Sequence, residues 1–346
     1  MGNARERLAR RIQWYAENNQ GAPTHSSLLA HAADDILAGG PAWEVLSGQE
    51  NLPRGSALAL RFMGAVHRLV LRGKAPELAR FYRSVGGNEG PEGAWPSFRE
   101  VLTAHTEELR EEVTRPVQTN EVGRAAALVG GFLNVAERFR LPLRILELGT
   151  SAGLNLRWDH FHYEARGARW GPPDSPVRLC EFDAPPAPPF DVAATVAGRR
   201  GCDRNPLDAT SEEDRITLLS FVWCDQAWRI RRLRAALEVA AQVPASVDRA
   251  NAPDWLGQQL ADDTPGVATV VFHSIFMQYL AEEDRERVLA TLEDAGARAK
   301  DSTPLAWLRM EPAGDHTEVN LKIWPGGDDR LIVRAGYHGA NVEWLG

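Results

Sequence analysis

The feature that most constrains this chain is the stretch Leu143-Arg-Ile-Leu-Glu-Leu-Gly-Thr-Ser-Ala-Gly-Leu-Asn-Leu156. Ile145, Leu146 and Leu148 make a short apolar run that stops at a glycine, the pattern of a parallel strand buried on both faces. Gly149 and Gly153 permit positive φ and close approach of a ligand to the backbone, and a helix can begin at Leu154 with its free N–H groups turned toward that ligand. A strand, a glycine loop and a helix N-terminus form a binding site at the carboxyl edge of a sheet.

The rest of the chain is organised around that stretch. Residues 1 to about 140 read as helix after helix: Leu8, Ile12 and Tyr15 share a face, and Leu58, Phe62, Val66, Leu69 and Val70 make a second apolar stripe. The capping-box spacing Ser97-Phe-Arg-Glu100 predicts a helix to about Thr114, stopped by Pro116, and Asn120 is expected to cap a helix from Glu121 to Phe139. No linker is long enough to separate this part, so residues 1–140 are expected as an α-helical cap on a domain of residues 141–346. Residues 157–190, rich in aromatics and prolines, read as an insertion. A strand is expected at about Val192 to Val196, with continuation to Cys202 left open, and Ser211-Glu-Glu-Asp214 is expected to cap one long helix through Leu237. Apolar segments recur at Ala245 to Val247, Val267 to Phe272 and Leu305 to Met310. The alternation Val319-Asn-Leu-Lys-Ile323, a turn at Pro325 to Asp329 and Leu331-Ile-Val333 predict a hairpin. The fold class is therefore α/β: a mostly parallel sheet with a C-terminal antiparallel hairpin, plus helices.

Charge narrows the partners. With 39 Lys plus Arg against 47 Asp plus Glu, the formal charge is -8, which gives no general attraction to nucleic acid or anionic membranes. No run of 18 apolar residues is present, the start lacks a signal-peptide core, and Glu6 stands where a myristoylation signal needs Ser or Thr. A cytoplasmic protein acting on a small molecule is the expectation. Cys180, Cys202 and Cys224 are few and far apart, and they suggest neither a disulfide framework nor a thiolate metal site.

Three chemistries compete for the glycine loop. Gly149-Thr-Ser-Ala-Gly153 spells G-x-S-x-G, which would make Ser151 the nucleophile of a serine hydrolase with His316 or His338 downstream. That elbow needs several strands before it, and the preceding residues look helical. A dinucleotide fingerprint needs a middle glycine, and Ser151 takes its place. A loop with only the outer glycines, preceded by Glu147, suits a ligand without a pyrophosphate. A carboxylate buried there costs several kcal/mol unless a ligand cation or the loop N–H groups meet it. The pattern Glu147-x-Gly149-x-x-x-Gly153 resembles motif I of class I methyltransferases, which bind the sulfonium S-adenosylmethionine.

Other segments carry the resemblance further. Gly201-Cys-Asp203-Arg-Asn-Pro206 resembles the end of that superfamily's second strand, Asn251-Ala252 falls where Asp-Ala usually meets the adenine, and His273-Ser274 ends the fourth strand. The whole chain resembles a bacterial family known only as a domain of unknown function. Its motifs here are Gln118-Thr-Asn-Glu-Val-Gly-Arg124, the Leu-Glu-Leu-Gly loop, Gly-Cys-Asp, Phe272-His-Ser274, Arg309-Met-Glu-Pro312, Trp324-Pro-Gly-Gly327 and Gly336-Tyr-His-Gly339. The resemblance implies a Rossmann-like methyltransferase core. It implies S-adenosylmethionine held by Glu147, Gly149, Thr150, Ser151, Gly153, Asn155, Asp203, Asn251, Ala252 and Ser274.

Transfer of a methyl group needs mainly alignment, with a base only where the acceptor arrives protonated. His273 is the candidate base, with a structural imidazole as the alternative. Asn120, Glu121, Arg124, Tyr163 and Glu311 are candidates for the acceptor side. Asp159, His160 and His162 are expected to form a pocket rim, with no metal site. Beside methyl transfer and hydrolysis at Ser151 stand non-methyl chemistry of the same cofactor and a non-catalytic binding module.

Overall fold

The computed structural model describes residues 3–18, 21–182 and 185–346. Met1 and Gly2, at the start weighed above for a leader, and Asp183 and Ala184 of the 157–190 insertion lie outside the described residues. In chain order come α1 (Ala4–Asn18), α2 (Pro23–Ala38), α3 (Pro41–Leu46), α4 (Leu58–Leu71), α5 (Pro76–Ala79), α6 (Ala94–Ala104), α7 (Thr106–Glu112) and α8 (Arg124–Phe139). Strands β1 (Leu143–Leu148), β2 (His162–Ala165), β3 (Ala168–Trp170), β4 (Arg178–Leu179) and β5 (Val196–Asp203) follow. After them come α9 (Glu212–Ser220), α10 (Ala227–Gln242), β6 (Ser246–Arg249), α11 (Ala252–Gln259), β7 (Ala268–Ser274) and α12 (Glu282–Arg298). The chain closes with β8 (Leu305–Ala313), β9 (His316–Trp324), β10 (Asp328–Ala335) and β11 (Glu343–Trp344). Two compact units result, Met1–Thr119 with Glu212–Arg231, and Asn120–Ser211 with Arg232–Gly346.

The first unit is helical, and the apolar stripes of α1 and α4 supply its core, with Leu8, Ile12, Phe62, Val66 and Leu69 buried beside Leu28, Ile36, Phe98 and Leu102. Two helices differ from the sequence expectation. The Ser97 capping box is not used: α6 begins at Ala94, which puts Pro96 in the first turn, where a missing N–H costs nothing, and the run divides at His105. The single helix expected from Ser211 to Leu237 is two, α9 and α10. Residues 212–231 join the N-terminal helices because buried Arg68 of α4 reaches them, donating from Nη1 to Thr217 Oγ1 at 2.7 Å and facing Glu112 Oε2 of α7 at 3.1 Å. Gly64, one turn earlier, leaves room for the Phe221 ring, which a Cβ would meet at 3.0 Å.

The second unit is built on an eight-stranded sheet in the order β11-β10-β9-β8-β7-β1-β5-β6. The pairs from β6 through β5, β1 and β7 to β8 are parallel, and those from β8 to β11 are antiparallel. The α/β class, the mostly parallel sheet and the terminal hairpin are as expected. Successive side chains point to opposite faces of a strand. Leu146, Leu148 and Val271 accordingly pack with Trp255 and Leu256 of α11 and Val288 and Leu292 of α12, while their neighbour Phe272 meets Phe132 of α8 edge to face. α8 belongs with this sheet and not with the helices before it, so the division falls at residue 120 and not 140. Gly130 and Gly131 explain the fit, since a Cβ on either would stand 2.2 Å from the Trp344 ring and 2.4 Å from Leu308.

Three further differences concern the strands. The expected strand at 192–196 is its own continuation, Val196–Asp203. β8 runs past Met310 through Pro312 to Ala313 and turns directly into β9, a hairpin the sequence did not announce. The 157–190 insertion carries a small sheet of its own, β3-β2-β4, and the helix expected from Leu154 is a 3-10 run, Leu154–His160. No helix among the described residues is long and apolar enough to cross a membrane.

Candidate functional site

β1 is the first strand of the chain and lies inside the sheet, with the next large-sheet strands, β5 and β6, on one side and β7 and β8 on the other. Where the connections diverge in this way, a crevice opens at the carboxyl ends of the central strands. The glycine loop leaves β1 at that point. Gly149 (φ +69), Ser151 (φ +54) and Gly153 (φ +69) all take left-handed conformations, so the loop folds tightly onto its neighbours. The Gly149 and Thr150 N–H groups donate to Cys202 O at 2.9 and 3.1 Å, and Gly153 N–H donates to Thr150 O at 2.8 Å. Ser151 N–H donates to Asp203 Oδ2 at 2.9 Å.

Leu154 N–H, at the helical start, donates to Asn120 Oδ1 at 2.9 Å. Asn120 therefore caps this 3-10 run and not the helix that follows it in sequence, which starts at Arg124 after Gly123 with no side-chain cap.

Glu147 is the electrostatic centre of the loop. It is 3% exposed, and burial raises its pKa from the ordinary 4.5 to about 8, against the lowering effects of the Thr150 hydroxyl bonded to Oε2 and of the nearby Arg157 and Arg124 guanidinium groups. Arg157, itself buried, is committed elsewhere: it donates to Gly153 O at 2.6 Å and Val243 O at 2.9 Å, and desolvation lowers its pKa to about 10. The Asp203 carboxylate, half exposed at the end of β5, accepts from Ser151 N–H and, through Oδ1, from Asn205 N–H at 2.8 Å. Ala250 N–H donates to Asp203 O at 3.0 Å, which sets Asn251 beside it; Asn251 Oδ1 accepts from Arg204 at 3.1 Å, and Ala252 is buried as the first residue of α11.

Residues 120–124 meet the same edge. Asn155 Nδ2 donates to Glu121 O at 3.2 Å, and its buried Oδ1 has no hydrogen-bond partner among the described residues. Glu121 faces His338 Nδ1 at 3.1 Å, and Arg124 donates to Ser274 O at 3.0 Å and Tyr337 O at 3.0 Å. Asn120, Glu121, Arg124, Asn155 and Ser274 are thus tied to the loop and to the end of β7, as one continuous rim.

His273 and Glu311 form a closed knot. His273 is fully buried; Nε2 accepts from Trp307 Nε1–H at 3.1 Å, so Nδ1 carries the proton and donates to Glu311 Oε1 at 2.8 Å. Phe276 and Met277 N–H donate to the same oxygen at 2.9 and 3.2 Å. Burial pushes the Glu311 pKa up, but the His273 and backbone hydrogen bonds outweigh it and hold the group below its ordinary value. The geometry depends on Ile275, a β-branched residue at φ +52, which turns the chain sharply at the end of β7 and brings Phe276 over Gly149, where a Cβ would meet its ring at 2.2 Å. Both His273 nitrogens are spent inside the protein, so neither is available to take a proton from an acceptor.

Tyr163 and the expected pocket rim lie away from this cluster. The Tyr163 hydroxyl donates to Trp158 O at 2.8 Å in the packed interior of the small sheet. Asp159 pairs with Arg199 of β5 at 2.6 Å, which ties the insertion to the large sheet, and His162 is buried with neither ring nitrogen hydrogen-bonded among the described residues. Sequence reasoning missed Arg157, Ile275, Phe276 and Trp307. None stands in a motif, and only Arg157, four residues past a loop carbonyl it binds, lay within local reach.

Over residues 9–344 the chain matches the family described as "Uncharacterized protein conserved in bacteria (DUF2332)", and it belongs to that family. No curated protein and no solved structure matches it.

Proposed function

We propose that this member of the DUF2332 family is an S-adenosylmethionine-dependent methyltransferase acting on a small molecule, with a Rossmann-like methyltransferase core. The observation that carries the proposal is how the loop spends its donors. Gly149, Thr150, Ser151, Gly153 and Leu154 N–H groups all meet protein acceptors, which leaves a poor cradle for a pyrophosphate. What the site offers instead is carboxyl groups. Glu147 lacks a full ion pair, a demand that a sulfonium or ammonium meets. Asp203 accepts two backbone hydrogens and, with about four lone-pair sites on a carboxylate, keeps room for both hydroxyls of a ribose. The parallel order β6-β5-β1-β7-β8 supports the same reading, because it is the 3-2-1-4-5 order of nucleotide-binding sheets.

When bound, the cofactor supplies an electrophilic methyl carbon, which an acceptor lone pair attacks as the carbon–sulfur pair returns to sulfur. The chain's part is to align and to exclude water. Glu147 and the loop hold the cationic end, Asp203 the ribose, and Asn251 and Ala252 the base. His273 acts as a positioning residue: with Trp307 it fixes Glu311, whose Oε2 has no hydrogen bond among the described residues and is placed to accept one from an acceptor amine or hydroxyl.

Titration calorimetry with S-adenosylmethionine and S-adenosylhomocysteine, on the wild type and Asp203→Ala, tests the proposal. Binding by the wild type that weakens in the variant by about 2–3 kcal/mol, the value of hydrogen bonds to a charged group, supports it. A folded wild type that binds neither compound refutes it. Product analysis then separates methyl transfer, which yields S-adenosylhomocysteine, from non-methyl chemistry, which yields methylthioadenosine, and from a binding module, which yields neither.

One observation favours a second reading, hydrolysis. Ser151 has the left-handed backbone of a nucleophile elbow. It is also buried, in the loop after the first strand of the sheet, and His338 is engaged by Glu121. Labelling of the wild type, but not Ser151→Ala, by an active-site serine probe would favour hydrolysis over methyl transfer.

A further inference from the structure

We infer that the helical unit holds a divalent transition metal, zinc by ligand type, between His25, Cys224 and Asp225. The inference does not depend on the proposed methyltransferase chemistry.

The break between α9 and α10, at residues 221–226, turns the Cys224 thiol and the Asp225 carboxylate toward the first turn of α2, where His25 sits. His25 Nδ1 lies 3.3 Å from Cys224 Sγ and 3.5 Å from Asp225 Oδ2, and Sγ lies 3.9 Å from Oδ2. Ligands about 2.0–2.3 Å from a tetrahedral zinc stand about 3.3–3.6 Å from one another. The two spacings from Nδ1 fall in that range and the Sγ–Oδ2 spacing is a few tenths of an ångström longer, so the three atoms lie close to one face of a zinc tetrahedron. Each has a lone pair to offer a metal once the sulfur and Nδ1 are free of protons.

A second observation points to the same spot. Tyr82 is fully buried and its hydroxyl has no hydrogen-bond partner among the described residues, yet it lies near enough to Cys224 and Asp225 to interact electrostatically with both. A buried unpaired hydroxyl is costly and asks for an explanation. It is a further polar atom near the triad, and in this proposal a water bound to it takes the fourth position.

The groups around these three side chains hold them in place. Thr24 and His25 N–H groups donate to Asp225 Oδ1 and Oδ2 at 3.0 and 3.1 Å, which fixes the carboxylate. Ser84 N–H donates to Cys224 O at 3.0 Å, and the Trp223 ring lies 5.9 Å from the His25 ring. An imidazole, a thiolate and a carboxylate together suit zinc over a hard cation such as magnesium or calcium. Ligation releases the thiol proton to solvent as the sulfur–metal bond forms. The metal would cross-link the start of α2 to the break after α9, residues 199 positions apart in the chain.

Cobalt substitution tests this on the full-length chain, free of any metal-affinity tag. The protein is stripped with chelator, confirmed folded by circular dichroism, and titrated with Co(II) alone and then with Zn(II). The expected result is saturation near about one equivalent, with a thiolate-to-cobalt charge-transfer band and intense tetrahedral d–d bands that zinc displaces. Cys224→Ala is expected to lose the charge-transfer band. A folded wild type that binds no cobalt, or binds it without a thiolate band, overturns the inference, as does an undiminished band in Cys224→Ala. Should that variant fail to fold, the wild-type spectrum alone decides.

Discussion

Replacing Glu147 by Gln should change how stability depends on pH, and the size of the change follows from its burial. The carboxyl pKa rises from 4.5 to about 8 on folding, so between those values the native state holds a proton that the unfolded chain has released. Stability must then fall as pH rises through that window, at up to about 1.4 kcal/mol per unit, and level off above it, for a total on the order of 5 kcal/mol. Glutamine keeps an oxygen for the Thr150 hydroxyl and never ionises. The variant should match the wild type near pH 5 and exceed its stability by roughly 3–5 kcal/mol above pH 8. Urea unfolding of both proteins across this range, followed by tryptophan fluorescence, measures the difference. Because all other titrating groups are shared, they cancel in the comparison. Parallel curves would refute the claim that Glu147 is buried without an adequate counter-charge.

Other outcomes follow from the same geometry. A cationic ligand that ionises Glu147 must expel its proton, so binding of S-adenosylmethionine should release about 0.9 proton at pH 7 for a pKa of about 8; calorimetry in buffers of different ionisation enthalpy reads it directly, and none should be released in Glu147→Gln. Trp307→Phe deprives buried His273 Nε2 of its donor and should cost about 1–3 kcal/mol of stability, read by denaturant unfolding. Gly130→Ala drives a methyl into the Trp344 ring and should cost about 1–3 kcal/mol, visible as a lowered unfolding midpoint.

The framework of the sheet was legible because local signals carried it. The apolar run ending at Gly149 marked β1, Asp203, His273 and Glu311 fell at or near the carboxyl ends of β5, β7 and β8, and alternation at Val319 to Ile323 marked the hairpin. Boundaries were lost wherever packing between distant segments decided them. α8 has the amphipathic pattern of its helical predecessors, and contacts with distant residues, Gly130 and Gly131 with Trp344 and Leu308 and Phe132 with Phe272, assign it to the sheet. The continuous helical periodicity from Ser211 to Leu237 hides a break, because what stabilises residues 221–226 is Phe221 against Gly64 and Asp225 against the first turn of α2, partners more than 150 residues away.

The candidate site divides along the same line. Motif spacing brought out Glu147, Gly149, Ser151, Gly153 and Asp203, which do share bonds across two neighbouring strand ends. It did not bring out which hydrogen-bonding groups remain free, and that decides the chemistry. His273 looked like a base because an imidazole at a strand end titrates near neutrality, yet Trp307 and Glu311 occupy both nitrogens. Asn120 looked like the cap of its own helix, yet it serves Leu154 across the loop. Each of these side chains does what its chemistry allows, for a partner chosen by the fold. A sequence motif names donors and acceptors; only the pairing among them shows what is left for a ligand, and here it leaves the carboxyl group of Glu147 buried with its pKa raised to about 8.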